Sequence, residues 1–534
     1  RLAAQEEENQ ITKVDIEHAE KLTGVPFTDR DRETMLPDIR DLRKSYETIH
    51  SVPLDNSVTP AVHFQPLLPG MHVAPEPDRF RPGTVRIEPP KTDAELAFLP
   101  VTHLAYLLRT RQIRSLDLTK IYLERLKKYD RVLHCVITLT EELALEQARK
   151  ADEELRVGHY RGPLHGIPWG AKDLLAARGY RTTWGAMPFK NQVIDENATV
   201  VERLSAAGAV LVAKLSVGAL AWGDVWFGGK TRNPWNPEQG SSGSSAGPAA
   251  ATAAGLVGFA IGTETYGSIV SPSTRCGTTG LRPTFGRVSR YGCMALSWTM
   301  DKIGPICRTV EDCALVFHAI HGADGRDPTA VSFPFYWNPR RKAQKLRVGY
   351  LKSAFEADHP TKKFDVAALQ GLRRLGFDLI PVEWPDYPLR ALLVILDAEA
   401  AAAFDEITRD RRIDTMVRQG RNTWPNTFRY SRFIPAVEYI NANRIRTLLM
   451  RDMARVMANV DVVVTPTFGG GTLLLTNLTG HPAAVLPNGF RDDGTPVSIT
   501  FIGNLYKESD LLAVAKAYQD ATDFHTKHPP LFTS

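Results

Sequence analysis

Between Gly240 and Gly247 the chain reads Gly-Ser-Ser-Gly-Ser-Ser-Ala-Gly, and it runs on at once into Ala249–Gly255, where all but Thr252 is alanine or glycine. Residues this small cannot fill space with side chains, so whatever they form must bring backbone close to backbone. The glycine-serine part is too flexible and too polar for the interior of an element. Ala249–Ile261 instead suits a tightly packed core helix followed by a strand. A dense, small-residue centre is therefore required of any fold this chain adopts.

Around that centre, Ala209–Lys214, Leu346–Tyr350, Phe377–Val382, Val460–Thr465 and Val497–Ile502 are short apolar runs with β-branched residues, each near a helical pattern. They predict an α/β fold with a mixed sheet flanked by helices. Pro381 places the third run at a sheet edge. Leu389–Phe404 reads as helix, and the stretch from about 315 to 446 reads as a variable, helix-rich decoration of the core. With 43% hydrophobic and 23% charged residues, collagen, coiled coil and disordered tail are excluded.

The first 65 residues read differently. Thr12 can cap a helix carrying Val14, Ile16, Ala19 and Leu22. Thr34 can cap a second, with Pro37 in its first turn, carrying Ile39, Leu42, Tyr46 and Ile49. Ser51–Pro90 holds nine prolines and predicts an extended strap that wraps something. The expected division is a helical extension over 1–65, a proline-rich linker over 66–91 and one large domain over 92–534. In that domain Ser115 is a candidate cap for a helix running toward Tyr129, and Glu141–Leu155 supplies another.

Sixty-five Lys and Arg against sixty Asp and Glu leave a net charge of +5 over 534 residues, too dilute to announce nucleic acid or an anionic membrane as partner. No run of about 18 large apolar residues predicts a membrane span. Opening at Arg1 without methionine points to a trimmed chain, which leaves the compartment open between cytoplasmic and exported, and a homo-oligomer is equally open. Cys135, Cys276, Cys293, Cys307 and Cys313 form no Cys-x-x-Cys pair and read as buried small apolar residues. His134, His165 and His481 lack ligand spacing, so neither a metal nor an organic cofactor is expected.

The chemistry concentrates between residues 160 and 280. Gly243-Ser-Ser-Ala-Gly247 matches the Gly-x-Ser-x-Gly nucleophile elbow and nominates Ser245. An elbow follows a hydrophobic strand, however, and Asn233-Pro-Trp-Asn-Pro-Glu-Gln-Gly240 is not one. Gly262-Thr-Glu-Thr-Tyr-Gly-Ser-Ile-Val270 follows an apolar run and sets Ser268 behind a glycine, where a tight turn can aim several N–H groups at one point. Gly162-Pro-Leu-His-Gly-Ile-Pro-Trp-Gly-Ala-Lys-Asp173 encloses Lys172 among apolar and glycine residues, so that lysine must be ion-paired or neutral.

These clusters, with Thr231–Pro237, Cys276–Arg290, Asp301-Lys-Ile-Gly-Pro305, Val464–Thr467 and Asn477-Leu-Thr-Gly-His-Pro482, resemble the amidase signature family over roughly residues 92–530. The resemblance implies an amidase signature fold and hydrolysis of carboxamides by a Ser–cis-Ser–Lys triad, with a small-molecule amide as the partner. Ser268 is then the nucleophile, Ser244 the serine after a cis peptide bond and Lys172 the base. The N–H groups of Thr265, Tyr266, Gly267 and Ser268 become the oxyanion hole. Trp169, Trp184, Trp222, Trp226, Phe227 and Tyr266 lie near the motifs and are expected to line an apolar or aryl pocket, suited to hydrophobic or aryl amides or carbamates.

Two departures stand out. The family's Asp-Thr-Gly-Gly-Ser-Ile-Arg reads Glu264-Thr-Tyr-Gly-Ser-Ile-Val270 here, which sets Tyr266 in place of a glycine and removes an arginine for which Arg275 is a candidate substitute. The N-terminal helices resemble the small C subunit of the tRNA-dependent amidotransferase, and the large domain resembles its A subunit. One alternative is therefore a glutaminase component feeding ammonia to a tRNA-modifying partner. Against it, Thr467-Phe-Gly-Gly-Gly-Thr472 lacks the acidic residue expected to hold the glutamine amino group. Another is a non-catalytic binding protein on an amidase core, which the intact Lys172, Ser244 and Ser268 oppose.

Overall fold

The computed structural model describes residues 11–24, 26–50, 55–58 and 62–533. An eleven-stranded sheet runs through it, made of β1 (Val136–Leu139), β2 (Pro168–Lys172), β3 (Val210–Leu215), β4 (Phe259–Glu264), β5 (Thr279–Arg282), β6 (Lys302–Cys307), β7 (Val348–Leu351), β8 (Leu379–Val382), β9 (Val462–Pro466), β10 (Ala483–Phe490) and β11 (Pro496–Gly503). Their order is β8-β7-β9-β11-β10-β5-β6-β4-β2-β3-β1. The sheet is mixed: β2 lies parallel to both β3 and β4, and β6 runs antiparallel to β4. As Pro381 requires, β8 is an edge strand, while β2, β3, β4 and β6 are buried along their whole length.

Around the sheet lie α1 (Lys13–Thr23), α2 (Asp29–His50), α3 (Ser115–Leu133), α4 (Glu141–Arg156), α5 (Ala246–Ala253), α6 (Val270–Cys276), α7 (Val310–Ile320), α8 (Val394–Ala403), α9 (Ala436–Met457) and α10 (Thr472–Thr479), among others. The small-residue run forms α5, every residue of which is buried. Its alanines pack against Val210, Val212 and Ala260 of the strands. The 315–446 stretch is not purely helical, because it also supplies β7 and β8 to the sheet.

Two expected helix starts are corrected. The second helix begins at Asp29 rather than after Thr34, because Thr28 and Asp31 exchange hydrogen bonds as a reciprocal cap. Pro37 therefore sits inside α2, and the Thr34 hydroxyl donates to Arg30 O in mid-helix. The helix before it starts as expected, with a capping box between Thr12 and Asp15. Of its apolar set only Ile16 is buried. The side chains of Leu42, Tyr46 and Ile49, and residues 51–54 and 59–61, lie outside the described residues.

Likewise Ser115 does not cap α3; it is the helix's first residue, and its hydroxyl donates to Gly166 O at 2.8 Å. Asp152 of α4 accepts from the N–H groups of Ser115 and Leu116 at 2.6 and 3.0 Å, so a carboxylate from the next helix satisfies the orphan donors.

The proline-rich strap lies on the core. Phe64 meets the Phe285 ring at 5.0 Å, Lys507 donates to Ala74 O, Ser509 donates to Glu76, and Arg79–Phe80 pairs in parallel with Tyr336–Trp337. Asp152→Ala is expected to lower stability by about 1 kcal/mol, the usual worth of a helix cap, in urea unfolding. An unchanged midpoint contradicts the cross-helix cap.

Candidate active site

Lys172 is the last residue of β2 and Glu264 the last of β4, and these parallel neighbours release their chains at one edge of the sheet. Ser244 and Ser268 meet them there. Lys172 Nζ lies 2.8 Å from Ser244 Oγ, 2.7 Å from Thr263 Oγ1 and 3.3 Å from Thr263 O. The side chain is wholly buried, and burial pulls its ammonium down to about 7 against the weaker opposing pull of nearby acids. Asp173 offers it no charge, because Asp173 pairs at 2.6 Å with Lys214. Among the described residues Lys172 has no carboxylate within ion-pair reach.

The Gly243–Ser244 peptide bond is cis. A side chain at Gly243 would place its first carbon 1.8 Å from Gly223 O, so the backbone approach foreseen for this segment is real and admits only glycine. Ser245 is not an elbow nucleophile. Its hydroxyl donates to Thr263 O and accepts from Thr263 N, tying α5 to β4.

Ser268 is joined to this group through its carbonyl, which accepts from Ser245 N at 3.1 Å. Its hydroxyl has no hydrogen-bond partner among the described residues, and no bond closes the step between Ser244 and Ser268. The turn before it carries Gly267 at φ +90°, a conformation glycine adopts without strain. The N–H groups of Tyr266, Gly267 and Ser268 make no hydrogen bond among the described residues. The next two, of Ile269 and Val270, donate to Glu264 Oε2 at 2.8 and 3.0 Å.

Glu264 is thus the knot of the turn. Besides those N–H groups it accepts from Arg282 Nη1 at 2.7 Å and Asn477 Nδ2 at 2.8 Å. Burial raises its carboxyl, but Arg282 and the donors together outweigh burial and hold it at about 2. Arg282, not Arg275, supplies the countercharge; Arg275 is exposed and reaches Gln239. Asp301 anchors the other side, accepting from Thr265 Oγ1 at 2.6 Å. Thr263, Arg282 and Asp301 carried no role in the sequence reading, although all three stand inside the quoted motifs.

The expected aromatic pocket is only partly assembled. Trp169 is 1% exposed and stacks on Phe259, on the strand face opposite Lys172, so it belongs to the core. Trp184 packs among Phe189 and Phe404, and Trp226 is buried with its indole N–H donating to His134 O. Phe227 lies edge-on to Trp226. Trp222 is half-buried against Trp424 and lines a groove with Met416 and Thr423. Tyr266 is 42% exposed on the turn itself. A cavity of ≈ 70 Å³ also reaches Thr263, Thr265, Leu174, Ala221 and Asp301.

Among the described residues one cluster has metal-ligand residue types: Asp78, His318 and His321, whose donor atoms lie within 4.8 Å of one another. Arg287 and Arg203 set positive charge beside His321, which opposes a cation there, while Asp78 favours one.

Residues 117–475 match the Amidase family model, and the chain belongs to that family. It is an amide hydrolase with the α/β amidase signature fold. It is 36% identical over 480 residues to the A subunit of the glutamyl-tRNA(Gln) amidotransferase of Methylococcus capsulatus, covering 80% of this chain and 98% of that one. The corresponding protein of Roseiflexus castenholzii is 35% identical, with 81% and 97% covered. Among solved structures, the peptide amidase of Stenotrophomonas maltophilia superposes with a TM-score of 0.71 at 30% identity, covering 79% of this chain and 96% of that one.

Arg282→Met leaves Glu264 buried without its countercharge and is expected to cost about 3–5 kcal/mol in equilibrium unfolding. A loss below about 1 kcal/mol contradicts the knot.

Proposed function

We propose that the chain hydrolyses carboxamides through Lys172, Ser244 and Ser268 by way of an acyl-enzyme. The observation that carries this reading is a buried lysine at 2.8 Å from Ser244 Oγ with no carboxylate in ion-pair reach among the described residues, which burial lowers to about 7. A hydroxyl is a weak nucleophile until a base takes its proton. Neutral Lys172 takes the proton of Ser244, Ser244 takes that of Ser268, and Ser268 Oγ attacks the amide carbonyl carbon. The oxyanion settles on the N–H groups of the Thr265–Ser268 turn, of which three are free of other partners. Ser244 then returns its proton to the departing nitrogen, the C–N bond breaks, and a water activated by the same pair releases the acid.

For substrate, the reading is a hydrophobic or aryl amide or carbamate taken up beside Tyr266 and Trp222. A glutaminase component of a tRNA-dependent amidotransferase is the second reading, favoured by relatives named as the A subunit of a glutamyl-tRNA(Gln) amidotransferase. A protein partner belongs to it. The loop Thr467–Thr472 speaks against it, since it offers an exposed Phe468 and no carboxylate. In both readings residues 1–65 and 66–91 act as a fused, C-subunit-like belt and strap on the 92–534 catalytic domain. Hydrolysis rates on anilides, aliphatic amides, carbamates and glutamine, the last with and without candidate partner proteins, separate the two. Glutamine turnover that appears only with a partner overturns the first.

Because the neutral lysine is the active form, kcat/KM is expected to rise with pH to a plateau above an apparent pKa of about 7 and to fall about tenfold per unit below it. Lys172→Met should lose roughly 10²–10⁴-fold at the plateau along with that limb. A pH-independent rate between 5 and 9 contradicts the assignment.

A further inference from the structure

Among the described residues of the N-terminal strap, Asn56 and Ser57 reach the active-site cavity. Asn56 Nδ2 donates to Ala295 O at 2.9 Å, and Ala295 N donates back to Asn56 Oδ1 at 2.7 Å, so the side-chain amide pairs with this segment as a neighbouring strand would. The same Nδ2 also reaches Ala403 O at the end of α8. The next two N–H groups, of Leu296 and Ser297, donate to Asp301 Oδ2 at 2.8 and 3.0 Å. Asp301 Oδ1 accepts from the Thr265 hydroxyl at 2.6 Å, and Thr265 opens the turn that carries Tyr266, Gly267 and Ser268. Asn56 and Ser57 also line the cavity that reaches Thr263 and Thr265.

We propose that Asn56 is a positioning residue for hydrolysis: it fixes Ala295–Ser297, these fix Asp301, and Asp301 holds the oxyanion turn through Thr265. The proposal rests on the reading of Ser268 as nucleophile and adds to it that the extension is part of the catalytic apparatus. Burial of the other strap anchors does not duplicate the role. Ala74, Glu76 and Gly83 dock on Lys507, Ser509 and Glu311, none of which belongs to this hydrogen-bond path. A misplaced turn weakens donors that matter only once the oxyanion forms, so the loss falls on kcat rather than KM.

The test is steady-state kinetics on the full chain with the rate of fluorophosphonate labelling at Ser268. Asn56→Ala and Thr265→Val should each lower kcat and labelling by roughly tenfold, short of the ~10²–10³ for losing an oxyanion donor outright, with KM within about twofold. Because the two act along one path, the double variant should be no slower than the slower single. Asn56→Asp, which keeps the acceptor for Ala295 N but sets a carboxylate oxygen against the carbonyls of Ala295 and Ala403, should lose at least as much and serves if the alanine variant fails to fold. Glu76→Ala, elsewhere on the strap, should leave kcat unchanged. Folded Asn56 variants at wild-type kcat, multiplying losses in the double variant, or an equal loss in Glu76→Ala each overturn the proposal. Unlabelled wild-type protein overturns the Ser268 reading along with it.

Discussion

A lysine buried without a countercharge is the constraint around which this molecule is arranged. A buried ammonium is costly unless it is paired, and a lysine yields to that cost by giving up its proton. Here the nearest candidate partner in sequence, Asp173, is turned to Lys214 and to Thr183, which donates to it from both N and Oγ1. Among the described residues Lys172 hydrogen-bonds only to the hydroxyls of Ser244 and Thr263 and to the Thr263 carbonyl, while Cys293, Asp301 and Glu264 act on it through charge alone. The arrangement depends on β2 lying between β3 and β4: the first brings Lys214 to take up Asp173, and the second brings Thr263 and the turn that follows it.

The other charges nearby are treated in the opposite way. Glu264 and Arg282 are both fully buried and paired with each other, with Asn477 and two backbone N–H groups completing the carboxylate's shell. A buried ion pair is a poor source of net stability but a strict one of geometry, since removing either partner strands the other. In this chain it pins Ile269 and Val270, so the three preceding N–H groups are presented free. Arg282 comes from β5, two strands away from β4 in the sheet order, and so reaches Glu264 across β6.

Much of this was legible in the sequence, for reasons that differ by residue. Lys172 stood out as a charge among glycine and apolar residues and Ser268 as a serine behind a glycine, whereas Ser244 was picked out only by the resemblance to the amidase signature family. Five strands, β3, β7, β8, β9 and β11, were visible as β-branched runs, and Pro381 placed its strand at the edge; β2, Pro-Trp-Gly-Ala-Lys, has no β-branched residue and gave no such signal. The errors share a cause: a local rule was overridden by a residue distant in sequence or by a better local competitor. Asp152, 37 residues away, took the cap expected of Ser115. Thr28 with Asp31 outcompeted Thr34, Arg282 displaced Arg275, and strand alternation sent Trp169 to the face away from Lys172. The path from Asn56 to Ala295 spans 239 residues, and no periodicity or motif announces it.

The central claim is that Lys172 is neutral in a substantial fraction of molecules at neutral pH, and its protonation can be read without reference to any substrate. The direct measurement is an NMR titration of protein carrying ¹³C at lysine Cε, with the Lys172 resonance assigned by its loss in Lys172→Met. A midpoint near 7 is the expected result. A midpoint near the ordinary value of about 10.4 contradicts the account, because a charged Lys172 cannot take the proton of Ser244.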